Sequence, residues 1–217
     1  MLKRLGVAKM DLLLAIYIFC ILSSETMGSK TFPVADLGFM QLNASVAIFL
    51  FPLVYLINDI VYEVHGRERV RSMVRSSWVI VFLLFLFTLL ATALPPSTRF
   101  AGSESAYDLI FGKSARFAAA SLIALAVADL LDIFVFSKLR ERLGKKALWF
   151  RSGTSNVLSQ FVDTIVFMTL AFWALDRSVV DNVTFLTGLI LPYWGVKSAM
   201  SLIQTPLVYA GVRWLKG

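Results

Sequence analysis

Six apolar segments, each long enough to cross a bilayer, constrain this chain more than any other feature of its sequence. A membrane-spanning helix needs about 20 mostly apolar residues, because the hydrocarbon core is about 30 Å thick and a helix rises about 1.5 Å per residue. The sequence therefore predicts an all-α, polytopic membrane protein, with residues 1–217 forming a single transmembrane domain, a bundle of six helices. The six predicted spans cover approximately residues 11–28, 44–63, 73–94, 117–136, 153–175 and 185–212.

The composition excludes a soluble fold and several kinds of catalytic or metal site. Hydrophobic residues make up 58% of the chain and charged residues 16%, whereas globular chains have about 45–50% and about 25%. Cys20 is the single cysteine, which excludes a disulfide framework, a thiolate zinc site and an iron–sulfur cluster. Because His65 is the single histidine, a Ser/His/Asp triad is disfavoured. We expect no catalytic residues, no metal and no cofactor.

The distribution of Lys and Arg predicts the orientation of the chain in the membrane. Of the 21 basic residues, 15 fall on one side of the predicted bundle, five on the other, and Lys197 lies inside the last span. The positive-inside rule therefore places both termini in the cytoplasm, with the first segment kept as an uncleaved span. The net charge of +7 is then mainly topological. We expect the basic loops to contact the lipid bilayer through anionic head groups, and no nucleic acid.

Acidic, amide or lysine side chains lie inside five of the six predicted spans, although desolvation makes them costly there. Helical spacing places Asn156, Gln160 and Asp163 on one stripe of the fifth span, and Lys197 and Gln204 on one stripe of the sixth. A bundle hides such stripes by turning them inward, so we expect a polar site near the midplane. The candidate substrate-binding residues are Asn58, Asp59, Asp129, Asp132, Asn156, Gln160, Asp163, Lys197 and Gln204, with Glu25 and Glu63 as further candidates.

The competing interpretation of these polar residues is structural. Lys197 lies near the midplane and is expected to pair with Asp163 or Asp129, and such a pair can serve the fold alone. Acids at the ends of spans can simply reach interfacial water, and Glu25 is open to that interpretation. The acids outnumber the one intramembrane base, however, so pairing cannot satisfy them all. This surplus favours a functional interpretation of the set.

Three motifs and one lysine stand in the order expected of a known transporter family. They are FPLVYLINDIVYEVHGRERVR in the second span, ADLLDIFVFSKLRERLG in the fourth, RSGTSNVLSQFVDTIVFMTLAFW in the fifth, and Lys197 in the last. From about Phe51 to Val208, the chain resembles the YhhQ-type queuosine precursor transporters, also called the vitamin-uptake-transporter-like family. The resemblance implies a carrier in the bacterial inner membrane that imports a 7-deazaguanine (7-cyano-7-deazaguanine, 7-aminomethyl-7-deazaguanine or queuine) for salvage of the tRNA modification queuosine.

The candidate residues have the chemistry that such a substrate needs. A guanine-like edge presents N1–H and an exocyclic amine as adjacent donors, which a carboxylate accepts in bidentate fashion. Asp163 or Asp132 is expected to take these donors, while the substrate O6 accepts a hydrogen bond from Asn156, Gln160 or Lys197. An aromatic side chain would cover the ring. For the precursors that carry an amine, a further carboxylate is expected to pair with the cation, and Asp59 or Glu63 is suited to that role.

One other function stays open at this point, and a second is disfavoured. Six spans also fit a substrate-capture subunit of an energy-coupling-factor vitamin importer, which depends on ATPase partners. A membrane enzyme is disfavoured, because Asp129-x-x-Asp132 lacks the D-G-x-x-A-R context of a phosphatidyltransferase and His65 lies outside the spans. The sequence leaves open the coupling ion, the preferred 7-deazaguanine and whether the chain forms a homo-oligomer.

Overall fold

The computed structural model describes residues 6–143 and 148–216, and most of these residues are helical. The fold consists of long helices joined by short connections, with one small antiparallel sheet near the start of the chain. The described helices are α1 (Lys9–Met27), α2 (Phe51–His65), α3 (Arg67–Ala93), α4 (Glu104–Leu143), α5 (Leu148–Phe172), α6 (Val179–Ile203) and α7 (Thr205–Lys216), and the strands are β1 (Thr31–Asp36) and β2 (Gln41–Ser45).

Five helical stretches in the described part of the chain are long and apolar enough to cross a membrane. They are Lys9–Met27, Val46–His65, Arg67–Ala93, Ala101–Leu131 and Val179–Val196. The fifth predicted span, 153–175, overlaps α5, in which the described residues Phe161–Phe172 form a shorter apolar stretch. The chain is thus a largely helical, multi-pass membrane protein, and a total of six spans stays a prediction.

A β-hairpin between the first two spans departs from the all-α prediction. β1 pairs with β2 in antiparallel register, and Asp36 lies opposite Gln41 at the turn. The turn is stabilised locally, because the Gly38 N–H donates to Oδ1 of Asp36 at 2.8 Å. Gly38 has a φ of 80°, a conformation that glycine adopts without steric cost. The predicted span 44–63 therefore loses its first two residues to β2 and starts at the 3-10 turn Val46–Phe49.

The predicted last span, 185–212, is divided into two helices at Gln204. Pro206 lacks a backbone N–H and its ring clashes with the carbonyl four residues earlier, so a regular helix does not continue through it easily. The carbonyl of Gln204 instead accepts the Val208 N–H at 2.9 Å, which opens α7. Pro192, by contrast, lies inside α6 without ending it.

Two glycines allow helices to approach their neighbours closely. A Cβ on Gly188 would collide with the backbone carbonyl of Gln41, so α6 lies directly against the hairpin. A Cβ on Gly211 would collide with the Ile60 side chain, so α7 lies directly against α2. The missing side chains therefore set where α6 and α7 pack.

The two ends of the bundle differ in character. At one end, Nζ of Lys9 donates to the carbonyl of Trp214 at 2.7 Å and joins the start of α1 to the end of α7. At the same end Gly66, with a φ of 78°, alone links α2 to α3. We call this the basic end and the opposite end the hairpin end. A buried apolar cluster between α1, α2 and α3 includes Leu13, Tyr17, Cys20, Ile57, Val61 and Met73.

Candidate functional site

One face of α2 carries two aromatic and two acidic side chains at four-residue intervals. Phe51, Tyr55, Asp59 and Glu63 each lie about one helical turn from the next, so they share one side of the helix. Their contacts, described below, are with α5, α6 and α7. We call these four residues the α2 stripe. The aromatic half lies toward the hairpin end and the acidic half toward the basic end.

The acidic half of the α2 stripe meets the break between α6 and α7. Nε2 of Gln204 donates to Oδ2 of Asp59 at 2.5 Å. Glu63 and Thr205 join these two residues in lining a cleft of about 410 Å³. Oε1 of Gln204 is buried and has no hydrogen-bond partner among the described residues. The cleft therefore combines two carboxylates with an amide whose oxygen has an unused acceptor capacity.

The start of α7 contributes a further electrostatic feature to this cleft. Thr205, the first residue of α7, lines it beside Asp59. The N-terminus of a helix carries a partial positive charge, because its first N–H groups lack acceptors within the helix. Membrane carriers commonly place such interrupted helices at their substrate sites. The break faces two acids across this cleft, and interrupted backbone within membrane proteins commonly lines a cavity.

The aromatic half of the α2 stripe packs against Tyr193 of α6. The rings of Phe51 and Tyr193 meet edge to face with centroids 5.5 Å apart, and those of Phe51 and Tyr55 stack at 6.4 Å. Tyr55 interacts electrostatically with Asp163 and Tyr193. The Tyr193 side chain is 3% exposed and interacts with Ser45 at the end of β2. Asp163 thus lies within electrostatic range of Tyr55 in the aromatic half of the α2 stripe.

The sequence analysis missed Tyr55 and Tyr193, although spacing could have found them. Tyr55 precedes Asp59 by four residues, and Tyr193 precedes Lys197 by four, so each tyrosine continues a polar stripe by one turn. Tyrosine is amphipathic and common in apolar spans, which hides the signal. A search for any hydroxyl, amide or charge on the same face would have included both residues.

Two other candidate residues lie away from the α2 stripe. Asn58 faces α1 and α3, where its side chain interacts with Tyr17, which also interacts with Ser77. Oδ1 of Asn58 is buried without a hydrogen-bond partner in the described part of the chain. Asp129 lies on an exposed face of α4 and takes part in an interaction there.

Four candidate side chains lie outside the described residues. Only their helical backbone is described, in α4, α5 and α6. The predicted pairing of Lys197 with Asp163 or Asp129 therefore stays a prediction. The four are Asp132, Asn156, Gln160 and Lys197.

Glu25 is buried at a different place, between α1 and α4. Its side chain is 8% exposed, and the Ser121 hydroxyl donates to its Oε1 at 2.7 Å. No group of three or more His, Cys, Asp or Glu side chains among the described residues is arranged to hold a metal ion.

Comparison with known proteins gives a consistent family. The sequence profile of the family described as "Putative vitamin uptake transporter" matches residues 45–211. A "Probable queuosine precursor transporter" of Bacillus subtilis is 27% identical over 176 residues, which cover 80% of this chain and 74% of the relative. The "Queuosine precursor transporter" of Escherichia coli is 28% identical over 144 residues, 65% of this chain and 59% of the relative.

The match to a third relative covers a smaller share of that relative's length. The "Probable queuosine precursor transporter" of Haemophilus influenzae is 30% identical over 125 residues, 57% of this chain and 49% of the relative. The chain thus spans between about half and three quarters of the curated relatives it matches. No solved structure matches the chain.

Proposed function

The chain belongs to the family described as "Putative vitamin uptake transporter", and on that premise we propose that it imports queuosine precursors across the bacterial inner membrane. Three relatives carry the name of queuosine precursor transporter, which supports this substrate class. The observation that carries the proposal is the interrupted helix at Gln204, whose side chain binds Asp59 inside a cleft. Both termini are proposed to lie in the cytoplasm, because the basic residues are concentrated at that end.

The proposed substrates are 7-deazaguanines: 7-cyano-7-deazaguanine, 7-aminomethyl-7-deazaguanine or queuine. In this proposal a carboxylate, Asp163 or Asp132, accepts N1–H and the exocyclic amine of the base. A donor from Asn156, Gln160 or Lys197 meets O6. The position of Asp163 next to Tyr55 supports such a site, because a planar base needs an aromatic wall as well as polar partners.

The acidic cleft is proposed to serve the precursors that carry an amine. Asp59 and Glu63 both line it, and a substrate ammonium group there would replace the Gln204 amide as the partner of Asp59. An ammonium group carries a charge opposite to that of the carboxylate, so it binds Asp59 more strongly than the neutral Gln204 amide does. Substrate binding would therefore release Gln204 and loosen the contact between α2 and the start of α7, which suits an alternating-access carrier.

A capture subunit of an energy-coupling-factor importer is the alternative, and reconstitution separates the two. We expect the purified chain in liposomes to take up radiolabelled 7-deazaguanine without an ATPase partner. Binding without uptake would instead support the capture subunit.

Genetic complementation tests the substrate class. A bacterial mutant that lacks precursor synthesis and its own transporter is supplied with each 7-deazaguanine outside the cell, and queuosine is measured in tRNA. We expect queuosine to appear only when this chain is expressed, and Asp163→Asn to reduce it strongly. Equal queuosine with and without the chain would contradict the proposed function.

A further inference from the structure

Glu25 is a buried acid for which the substrate site described above has no use. The Ser121 hydroxyl satisfies Oε1 at 2.7 Å, while Oε2 is buried and has no hydrogen-bond partner among the described residues. The carboxyl group lies near the hairpin end of α1, close to the outer limit of a predicted span. Burying a half-satisfied carboxylate is strongly unfavourable, whereas a neutral carboxylic acid is much less so.

No described cation is placed to neutralise Glu25. On α3, the charged side chain that faces α1 is Arg69, which lines a cleft beside Leu14 and Tyr17, at least two turns toward the basic end. On α2, the polar group facing α1 is Asn58, which interacts with Tyr17. The 3-10 turn Val46–Phe49, which also packs on α1, carries no ionisable side chain.

On α4, the basic residues nearest in sequence to Ser121, the partner of Glu25, line a separate cavity. Lys113 and Arg116 line a cavity of about 420 Å³ at the hairpin end, together with Asp176. The guanidinium of Arg116 is already engaged, since Nε donates to the carbonyl of Leu170 at 2.7 Å and Nη2 to that of Trp173 at 2.6 Å. Arg116 therefore holds the end of α5 and is not an ion-pair partner of Glu25.

The same cavity is lined by residues close in sequence to the buried acid and its partner. Ser29 and Phe117 line it, and Ser29 follows Glu25 by one turn while Phe117 precedes Ser121 by one turn. Glu25 and Ser121 are thus each one helical turn in sequence from a residue that lines this cleft.

We propose that Glu25 is the site at which the carrier binds a proton that crosses the membrane with the substrate. The inference rests on the proposed function. With the hairpin end open, water in the cavity gives a proton to Oε2, and the carboxylate becomes a neutral acid. When the basic end opens, the acid returns that proton to water on the cytoplasmic side. One proton then moves inward with each substrate, and no other reactant is required.

The test uses the purified full-length protein in liposomes and radiolabelled 7-cyano-7-deazaguanine. Uptake is measured with acid outside and with equal pH on both sides, and substrate exchange is measured at equal pH. We expect the acid-outside gradient to raise accumulation several-fold in the natural protein. Glu25→Gln keeps an acceptor for Ser121, so it should retain exchange and lose the response to the gradient.

The matched control is Asp11→Asn, an exposed acid on the same helix, which should respond to the gradient as the natural protein does. Ser121→Ala gives a second readout that does not depend on the folding of the Gln variant. It removes the hydrogen bond that favours the ionised form, so the pH of half-maximal uptake should rise.

Three results would overturn the proposal: a natural protein that ignores the gradient, a Gln variant that still accumulates with it, or an unchanged pH midpoint in the Ala variant. Absence of both uptake and exchange in the natural protein would overturn the proposed function, and this inference with it. The two failures are therefore distinguishable.

Discussion

Gln204 donates a hydrogen bond to Asp59 across the boundary between α2 and the break that separates α6 from α7. The two residues are 145 positions apart in the chain, so the bond links the second predicted span directly to the last. It lies in a cleft that also contains Glu63. A single side-chain contact thus joins the acidic half of the α2 stripe to the point where the final helix is interrupted.

Replacing Gln204 with Met should destabilise the protein and weaken transport. The substitution keeps the volume but removes the donor to Asp59, and a hydrogen bond to a charged group is worth about 1.5–3 kcal/mol. Asp59 is partly exposed to the cleft, so we expect a loss nearer about 1 kcal/mol. Thermal unfolding in detergent measures it. Gln41→Met, at an exposed hairpin position, should change neither stability nor uptake, and equal effects of the two variants would contradict the assignment.

Removing the hydroxyl groups of Tyr55 and Tyr193 should have separable effects. Tyr193→Phe loses the interaction with Ser45 and should lower stability by about 1 kcal/mol. Tyr55→Phe keeps the ring beside Asp163 but removes its polar group, and should raise the KM of uptake several-fold with little change in maximal rate. Tyr209→Phe, at a side chain that is 73% exposed, is the control. Kinetics in liposomes and unfolding temperatures would contradict these roles of the two hydroxyl groups if all three variants behaved alike.

An alanine at either packing glycine should destabilise the protein, and more so at Gly188. There the new Cβ collides with the backbone of Gln41, whereas at Gly211 it collides with the Ile60 side chain, which can change rotamer. Overpacking usually costs about 1–3 kcal/mol. Gly112→Ala lies in open space within α4 and should stabilise the helix by up to about 1 kcal/mol. Unfolding temperatures of the three variants should follow this order, and a stable Gly188→Ala protein would refute the close contact with the hairpin.

Asn182→Ala should loosen the connection that follows α5. The Asn182 side chain accepts from the Ala174 N–H and donates to the Ala174 carbonyl, both at 2.8 Å, and it is buried. Losing two buried hydrogen bonds should cost about 2–3 kcal/mol and speed proteolysis after Phe172. The exposed neighbour Thr184 provides the control as Thr184→Ala, which should be cleaved at the natural rate.

The positions of most helices follow from the sequence, because hydrocarbon thickness fixes how long an apolar run must be. The hairpin could not be predicted in this way, since β1 and β2 lie outside the longest apolar runs. Local turn chemistry at Asp36 and Gly38 stabilises it instead. The division of the last span also escapes sequence patterns. Pro192 and Pro206 both lie in apolar surroundings, yet only the second marks the start of a new helix, so packing against neighbours decides the outcome.

In the candidate site too, the sequence pattern predicts some features and packing decides the others. Helical spacing identified Asp59 and Gln204 as polar residues that should face inward, and the structure brings them together. Helical spacing could not show that Asn58 and Asp59 face different neighbours. Adjacent residues differ by about 100° around the helix, and only packing decides which helix each of them contacts. Asn58 meets Tyr17 instead. The aromatic residues of the site were missed because the sequence search considered only amides and charges.

Because of the interruption at Gln204, the 12 residues of α7 form a set of helical backbone hydrogen bonds that is separate from that of α6. α7 can tilt about its first turn while few helical hydrogen bonds break. Such a tilt leaves α6 packed against the hairpin at Gly188. The same tilt would move Trp214 away from Lys9 and widen the cleft that Glu63 lines. The break therefore gives α7 a hinge at the basic end, while Gly188 keeps α6 in contact with the hairpin.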